Sequence, residues 1–299
     1  MDHLLSIRAF QRIAETGSFT LAAAHLGIPR STISKALLEL EAHLGTKLLQ
    51  RTTRTVALTV EGAEYYRRMQ SVTASLDEAD EALRGMGAAV QGRLRIDVYS
   101  SFATHVLIPA LGYFHAEFPD VQLALGISDR PVNLVEQGVD CVIRSGALPD
   151  SSMAAKTIFK DRFVTCASPA YLERHGRPAT PEELAQKHQL VGYFGAATSA
   201  IWPLRLKKKS VEHAFMRFDF YSNDSAGQIG MIRSGLGVGQ THALVVADML
   251  KSGELVPVLE DWNSETAPIS VLYPSARRMN QRARVFVDWL AGYLRQEGK

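Results

Sequence analysis

Five side chains within six positions, Arg30, Ser31, Thr32, Ser34 and Lys35, combine long cations with short hydroxyl groups. On the first turns of one helix such a set suits the base edges and phosphates of a major groove. Arg51, Thr53 and Arg54 lie in a second, β-branched stretch that reads as a two-stranded wing, with Arg54 near its tip and able to reach a minor groove. A third group is spread along the chain at the ends of short apolar runs: Ser100, Ser101 and Phe102, then Ser128 and Asp129, then Arg144 and Ser145. Where a strand turns into a helix, free N–H groups meet an anion, so serines there with Arg144 suit a carboxylate, and Phe102 could stack on a ring. The same residues have plainer roles, Ser100 as a helix cap and Arg144 as the ion-pair partner of Asp140.

Other chemistry is excluded. The Gly235–Gly239 string follows a helical stretch rather than a strand and lacks a phosphate-loop lysine, so no nucleotide site is expected. Nine histidines show no metal-ligand spacing and no Gly-x-Ser-x-Gly elbow occurs, so no metal, cofactor or catalytic residue is assigned. Cys141 and Cys166 sit in apolar surroundings and read as reduced core thiols. No run approaches the ~20 apolar residues of a membrane span and the N-terminus lacks a signal-peptide plan, so a cytoplasmic protein with no membrane partner is expected.

The elements that would hold these groups follow from periodicity. Leu5, Ala9, Phe10, Ile13 and Ala14 form one helical face. A second helix, capped by Ser18 or Thr20, ends at Gly27; a third, capped by Ser31 or Thr32, buries Ile33, Leu37, Leu40 and Leu44 and stops at Gly45. Ala23, Gly27 and Ile33 fill the small, turn and anchoring positions of a helix-turn-helix. A plain helical bundle with a solvated basic face fits the same spacing. Net charge is +2 over 299 residues, but it divides into +3 for residues 1–60, −3 for 61–91 and +2 for the remainder. A basic module followed by an acidic connector marks where a polyanion would dock.

Tyr65, Met69, Val72, Leu76, Ala79, Leu83 and Met86 step by alternating fours and threes, a heptad seam for pairing two chains. A helix lying on its own domain would show similar spacing. If two chains pair, two recognition helices are set apart by the DNA repeat and the target is an interrupted inverted repeat. Beyond residue 92, short apolar runs alternate with helical patterns, which implies a parallel sheet with crossover helices. Strands are expected near 94–98, 121–127, 139–143, 162–167, 216–221, 255–259 and 269–273, and helices near 132–137, 169–175, 224–234, 242–252 and 280–295.

Several motifs resemble one family. Gly17-Ser18-Phe19-Thr20-Leu21-Ala22-Ala23, Ile33-Ser34-Lys35, Leu40-Glu41, Leu44-Gly45, Arg51-Thr52-Thr53-Arg54 and Leu58-Thr59-Val60-Glu61-Gly62 look like the winged helix-turn-helix of LysR-type transcriptional regulators. Leu49 stands where that family usually has Phe, and Arg30 where a neutral amide is common. Phe118-Pro119-Asp120-Val121, Arg144-Ser145-Gly146, Ala167-Ser168-Pro169-Ala170-Tyr171-Leu172 and Gly235-Leu236-Gly237-Val238-Gly239 resemble its effector-binding domain. The resemblance implies an α+β multidomain chain: a winged helix-turn-helix over 1–60, a dimerising linker helix and hinge over 61–91, and a two-lobed, periplasmic-binding-protein-like α/β effector domain over 92–299. Lobe one would comprise 92–162 and 268–299, lobe two 163–267. It implies a transcription regulator that binds double-stranded DNA, forms a homodimer and then a tetramer or higher assembly, and carries a small-molecule effector in the interlobe cleft, with Trp202 and Asn223 contributing from lobe two. From Ser100, Ser101 and Arg144 an organic anion or aromatic carboxylate is the expected effector. The rival reading is an α/β small-molecule-binding protein or enzyme with an accessory helical module.

Overall fold

The computed structural model describes residues 2–51, 56–84, 90–146, 153–262, 266–274 and 279–297, with only the backbone of residues 51, 71, 74, 75, 77–84, 135, 136 and 297. In chain order the elements are α1 (His3–Thr16), α2 (Phe19–Leu26), α3 (Arg30–Leu44), β1 (Leu49–Arg51), β2 (Val56–Leu58), α4 (Val60–Arg84), β3 (Gly92–Val98), α5 (Ser100–Phe102), a π turn (Ala103–Leu107), α6 (Ile108–Glu117), β4 (Val121–Ile127), α7 (Leu134–Gln137), β5 (Cys141–Ser145) and β6 (Met153–Ala167). There follow α8 (Pro169–His175), α9 (Pro181–Lys187), β7 (Leu190–Phe194), β8 (Ile201–Trp202), β9 (Leu204–Lys208), β10 (Val211–Phe215), β11 (Phe220–Ser222), α10 (Ser225–Arg233), β12 (Val238–His242), α11 (Ala247–Lys251), β13 (Val256–Pro257), β14 (Thr266–Pro274) and α12 (Gln281–Glu297). They divide into two compact units, one drawn from Met1–Ala88 with Asn133–Gly138, the other from Ala89–Val132 with Val139–Lys299. No helix among the described residues is long and apolar enough to cross a membrane.

In the first unit, Asp2 and Ser18 accept backbone N–H groups at the starts of α1 and α2, and Gly17, Gly27 and Gly45 close three helices in the left-handed conformation. The expected cap of α3 is corrected: neither Ser31 nor Thr32 fills it. Pro29 takes the cap position, its carbonyl accepting the Thr32 and Ile33 N–H groups, so the helix starts at Arg30 with both hydroxyl residues inside its first turn. Phe10 and Ile13 of α1, Ala22 and Ala23 of α2, Ile33, Leu37 and Leu40 of α3, and Leu48 and Leu49 at the wing form one core. Each fully buried large apolar side chain there contributes about 1.5–3 kcal/mol.

The entry to α4 explains the Leu58–Gly62 run. Thr59 Oγ1 donates to the Lys47 carbonyl at 2.7 Å and accepts the Gly62 N–H at 2.8 Å, so one hydroxyl caps α4 and ties it to the wing. A Cβ at Gly62 would fall on the Leu48 carbonyl oxygen. Along α4 the first two heptad residues have partners within their own unit. Tyr65 and Met69 pack on their own unit's core, the Tyr65 ring 5.8 Å from Phe10, because α4 lies against α1 over its first turns. Val72 and Leu76 are 50% and 38% exposed. The side chains of Ala79 and Leu83 are not described, and Met86 lies outside the described residues.

Apart from the β9–β10 hairpin, the described strands of the second unit form two sheets that share β6. β4, β3 and β5 run parallel, and β14 joins β5 and β6 by antiparallel pairing. β6 then continues, its Phe163–Cys166 segment pairing with β12, which is followed by β7 and β11. The long β6 and the returning β14 thus connect lobe one to lobe two. Only Arg162–Ala167 of β6 is legible as a strand, because Lys156, Lys160 and Asp161 interrupt its apolar pattern. The region expected as a helix from His242 to Ser252 begins as strand β12, which ends at His242, and turns helical only at Ala247. Helix α9 and the β9–β10 hairpin were not expected. The glycine string is structural: a Cβ at Gly237 would lie 2.5 Å from the Gln189 carbonyl oxygen beside β7.

Candidate nucleic-acid interface and ligand cleft

Helix α3 sorts its residues by face. Ile33, Ala36, Leu37 and Leu40 are buried, while Arg30, Ser31 and Lys35 are exposed and Thr32 and Ser34 half-buried. Lys35 is engaged loosely, 3.8 Å from Glu39. At the far end of α3 the buried Glu41 organises the wing: Oε1 accepts the Leu48 and Leu49 N–H groups at 3.0 and 3.3 Å, and Oε2 accepts Lys47 Nζ at 2.6 Å. Burial raises the Glu41 carboxyl, but these hydrogen bonds outweigh it and hold the group below the ordinary carboxylate range. Leu49 pairs with Leu58 and Arg51 with Val56, so β1 and β2 form the expected hairpin. The side chain of Arg51 is not described, and Thr53 and Arg54 at the expected tip lie outside the described residues.

In the second unit the carboxyl ends of β3, β5 and β12 converge. Ser100 and Ser101 are buried at the start of the helix after β3, and Ser225 starts α10 in lobe two. These two helix ends cap each other. Ser225 Oγ accepts the Ser101 N–H at 3.0 Å, Ser100 Oγ accepts the Ala226 N–H at 3.1 Å, and the two hydroxyls are 3.0 Å apart. Asp129 completes the junction by accepting the Ser100 and Ser225 N–H groups, each at 2.6 Å, and the Tyr193 hydroxyl at 3.3 Å. The N–H donors expected to hold a ligand carboxylate are therefore already held by a carboxylate of the chain. Ser128 turns the chain locally, its Oγ accepting the Arg130 N–H.

Arg144 also has internal partners, and its expected partner is corrected. Its guanidinium donates to Asp97 at 2.5 Å and to the Ile143 and Arg130 carbonyls at 2.9 Å. Asp140 accepts instead from Arg95 N–H and from Asn280. Gly126 makes the Asp97 pair possible, since a Cβ there would lie 2.6 Å from the Asp97 carboxylate. Phe102 is fully buried and stacks near Tyr99 in the lobe-one core, so it is corrected from ring-stacking partner to core residue. Trp202 is 46% exposed, packs edge-on to Tyr193, and lies 3.4 Å from where a Cβ of Gly146 would be. Gly146 has φ of +88°, which glycine adopts without strain. Asn223 is half-buried two residues before α10.

Three further residues meet at the junction. Ser145 Oγ is 2.7 Å from Nε2 of His242, and Nδ1 of His242 is 3.3 Å from Oδ2 of Asp161, off the hydrogen-bonding line. Asp161 is itself fixed by the Arg162 and Leu244 N–H groups at 2.8 and 3.2 Å. Tyr99 lies beside them, its ring 6.1 Å from His242; its phenol is pushed well above its ordinary value by burial and then by Asp161 and Asp129. Asp161, His242, Tyr99, Tyr193 and Ser225 escape sequence reasoning because they sit far apart in the chain and only the strand crossing joins them. Cys141 and Cys166 are buried, and burial raises both thiols, that of Cys166 to about 12. Among the described residues no His, Cys, Asp or Glu cluster is arranged for a metal ion.

A helix-turn-helix with an exposed cationic and hydroxyl-bearing face, on one chain with a two-lobed α/β ligand-binding unit, defines a ligand-responsive transcription regulator. Residues 4–63 match the bacterial regulatory helix-turn-helix protein, lysR family, and residues 87–295 match the LysR substrate binding domain. The chain belongs to the LysR family of transcription regulators. It is 38% identical over 292 residues to an HTH-type transcriptional repressor of Pseudomonas aeruginosa, covering 97% of this chain and 92% of that one. It is 34% identical to the transcriptional regulator CrgA of Neisseria meningitidis over 96% of each chain. The solved structure of CrgA superposes with a TM-score of 0.61 at 32% identity over 98% of both chains. The full-length Vibrio cholerae virulence activator AphB gives 0.58 at 27% identity, over 97% of this chain and 99% of that one.

Proposed function

We propose that the protein works as a homo-oligomer that reads an interrupted inverted repeat and is switched by a small molecule between its two lobes. In this reading residues 1–60 bind DNA, 61–91 pair subunits and 92–299 sense the effector, in the cytoplasm and without catalysis. The observation that carries it is the split face of α3, which exposes Arg30, Ser31 and Lys35 opposite Ile33 and Leu37. Arg30, Ser31, Thr32, Ser34 and Lys35 would meet base edges and phosphates, and Arg51, Thr53 and Arg54 the flanking backbone and minor groove. Effector binding shifts the balance of lobe arrangements by its differential affinity for them. The cross-lobe bonds of Ser100, Asp129 and Ser225 are what such a ligand would rearrange.

An organic anion or aromatic carboxylate is one candidate effector. A specific observation favours an uncharged one: Arg144 is held by Asp97, and both helix ends by Asp129. Ser100, Ser101, Ser128, Asp129, Arg144 and Asn223 then shape the cleft, while Ser145 and Trp202 face the ligand.

Promoter footprinting, followed by binding of the footprinted duplex, tests the reading. Arg30→Ala is expected to change preference at one base pair by about 1–3 kcal/mol, and Arg54→Ala to weaken all duplexes alike and lower the salt slope by about one. Wild-type affinity and base preference in both variants would refute the placement of the interface.

A further inference from the structure

We propose that Tyr99, Ser145, Asp161 and His242 form a subsite, at the floor of the interlobe cleft, for a hydroxyl group on an uncharged aromatic effector. The proposal rests on the reading of that cleft as the effector site and gives the effector its chemistry. Two buried polar atoms there make no hydrogen bond: the Tyr99 hydroxyl, on a residue only 6% exposed, and Nδ1 of His242, which has Asp161 Oδ2 at 3.3 Å but off line and whose ring centroid is 6.1 Å from that of Tyr99. A buried polar atom left unpaired loses its hydration with nothing in return, so two such atoms on neighbouring rings mark a place built for a partner.

The surroundings select that partner. It has to accept from the Tyr99 phenol, which has a proton to give, and donate toward Asp161 or His242. A hydroxyl does both. A carboxylate has no proton to donate and would face Asp161 and Asp129, the two carboxylates that act on Tyr99. An ammonium has no lone pair with which to accept from the phenol. Beside Ser145, the exposed ring of Trp202 over Gly146 supplies a surface for an aromatic body.

The subsite also reaches across the lobes. Tyr99 and Ser145 stand at the ends of β3 and β5 in lobe one, while His242 ends β12 in lobe two. A ligand hydroxyl held by Tyr99 of lobe one and by Nδ1 of His242 of lobe two bridges the lobes beside the Ser145–His242 hydrogen bond, which uses Nε2, and so bears directly on lobe packing. Serine, histidine and aspartate in this order are also the groups of an acyl-transfer nucleophile. Recognition is favoured here because Nδ1 of His242 is not hydrogen-bonded to Asp161, and the adjacent Gly146 N–H, a natural oxyanion donor, is committed to the Pro268 carbonyl at 3.0 Å.

Benzyl alcohol, benzylamine and benzoate present one ring with three different head groups. Titrated into the full-length protein, they are followed through the Trp202 indole and His242 imidazole resonances, assigned with Trp202→Phe and His242→Gln. Benzyl alcohol is expected to shift both signals and to bind about tenfold or more tightly than the other two, since a site built around a hydroxyl rejects analogues lacking it. Tyr99→Phe, which keeps the ring packing, is expected to shrink that advantage to about twofold. Tighter binding of benzoate or benzylamine with a His242 shift overturns the proposal. Shifts at Trp202 without His242 overturn the hydroxyl subsite but leave the cleft as the effector site. Silence at both residues with all three probes overturns the cleft reading together with the subsite.

Discussion

Asp129 and Ser225 meet across the two lobes, the Ser225 N–H donating to Oδ2 of Asp129 at 2.6 Å, while Oδ1 of the same carboxylate accepts the Ser100 N–H. One negative side chain thus sits at the N-termini of a helix in each lobe, where the helix dipoles favour it. The position a ligand anion would take is filled from within, which makes Asp129 a latch between the lobes.

Asp129→Ala should therefore loosen the second unit. Charge-assisted hydrogen bonds are individually strong, but Asp129 is partly exposed, so a loss of about 2 kcal/mol is expected for the pair. Trp202, Trp262 and Trp289 all lie in that unit, so urea unfolding followed by tryptophan fluorescence reports on it alone. A midpoint equal to wild type would show that water satisfies both helix ends equally well.

The wing should depend on pH through Glu41. Its carboxyl is held below the ordinary range in the folded chain, so its contribution is complete above the unfolded value and is lost as pH falls through the depressed folded one. Glu41→Ala leaves the Leu48 and Leu49 N–H groups without their acceptor and should cost about 2 kcal/mol. Amide exchange at Leu48 and Leu49 in the full chain reads this locally. Protection unchanged in the variant would contradict the anchoring role.

Association should separate from stability along α4. Val72 and Leu76 present apolar surface outward, so Leu76→Asp is expected to raise the dimer dissociation constant about a hundredfold with little effect on unfolding. Tyr65→Ala, which removes a ring packed on Phe10, should instead cost about 2 kcal/mol of stability with association retained. Sedimentation velocity and thermal unfolding on both variants distinguish the two roles, and an unchanged oligomer in Leu76→Asp would remove α4 from the pairing surface.

What could be read from the residues alone was local. Helix faces, glycine stops and the order of strands and helices follow from spacing and backbone preference, and α1, α2, β4 and α8 lie where those rules put them. The exposed polar face of α3 was legible for the same reason, since its residues are neighbours in sequence. The cleft was not. Ser100 and Asp129 stood out as strand-end residues, but their partner Ser225 lies 125 positions from Ser100, and His242 lies 97 from Ser145. His242 was hidden further because its segment reads as a helix, and Asp161 because it interrupts the apolar pattern of a strand that runs through both lobes. The contact of Tyr65 with Phe10 was not legible from the heptad spacing, because the crossing of α4 over α1 depends on the packed core. Periodicity shows that a face is apolar; only the tertiary fold decides what covers it, and which carboxylate reaches a helix end first.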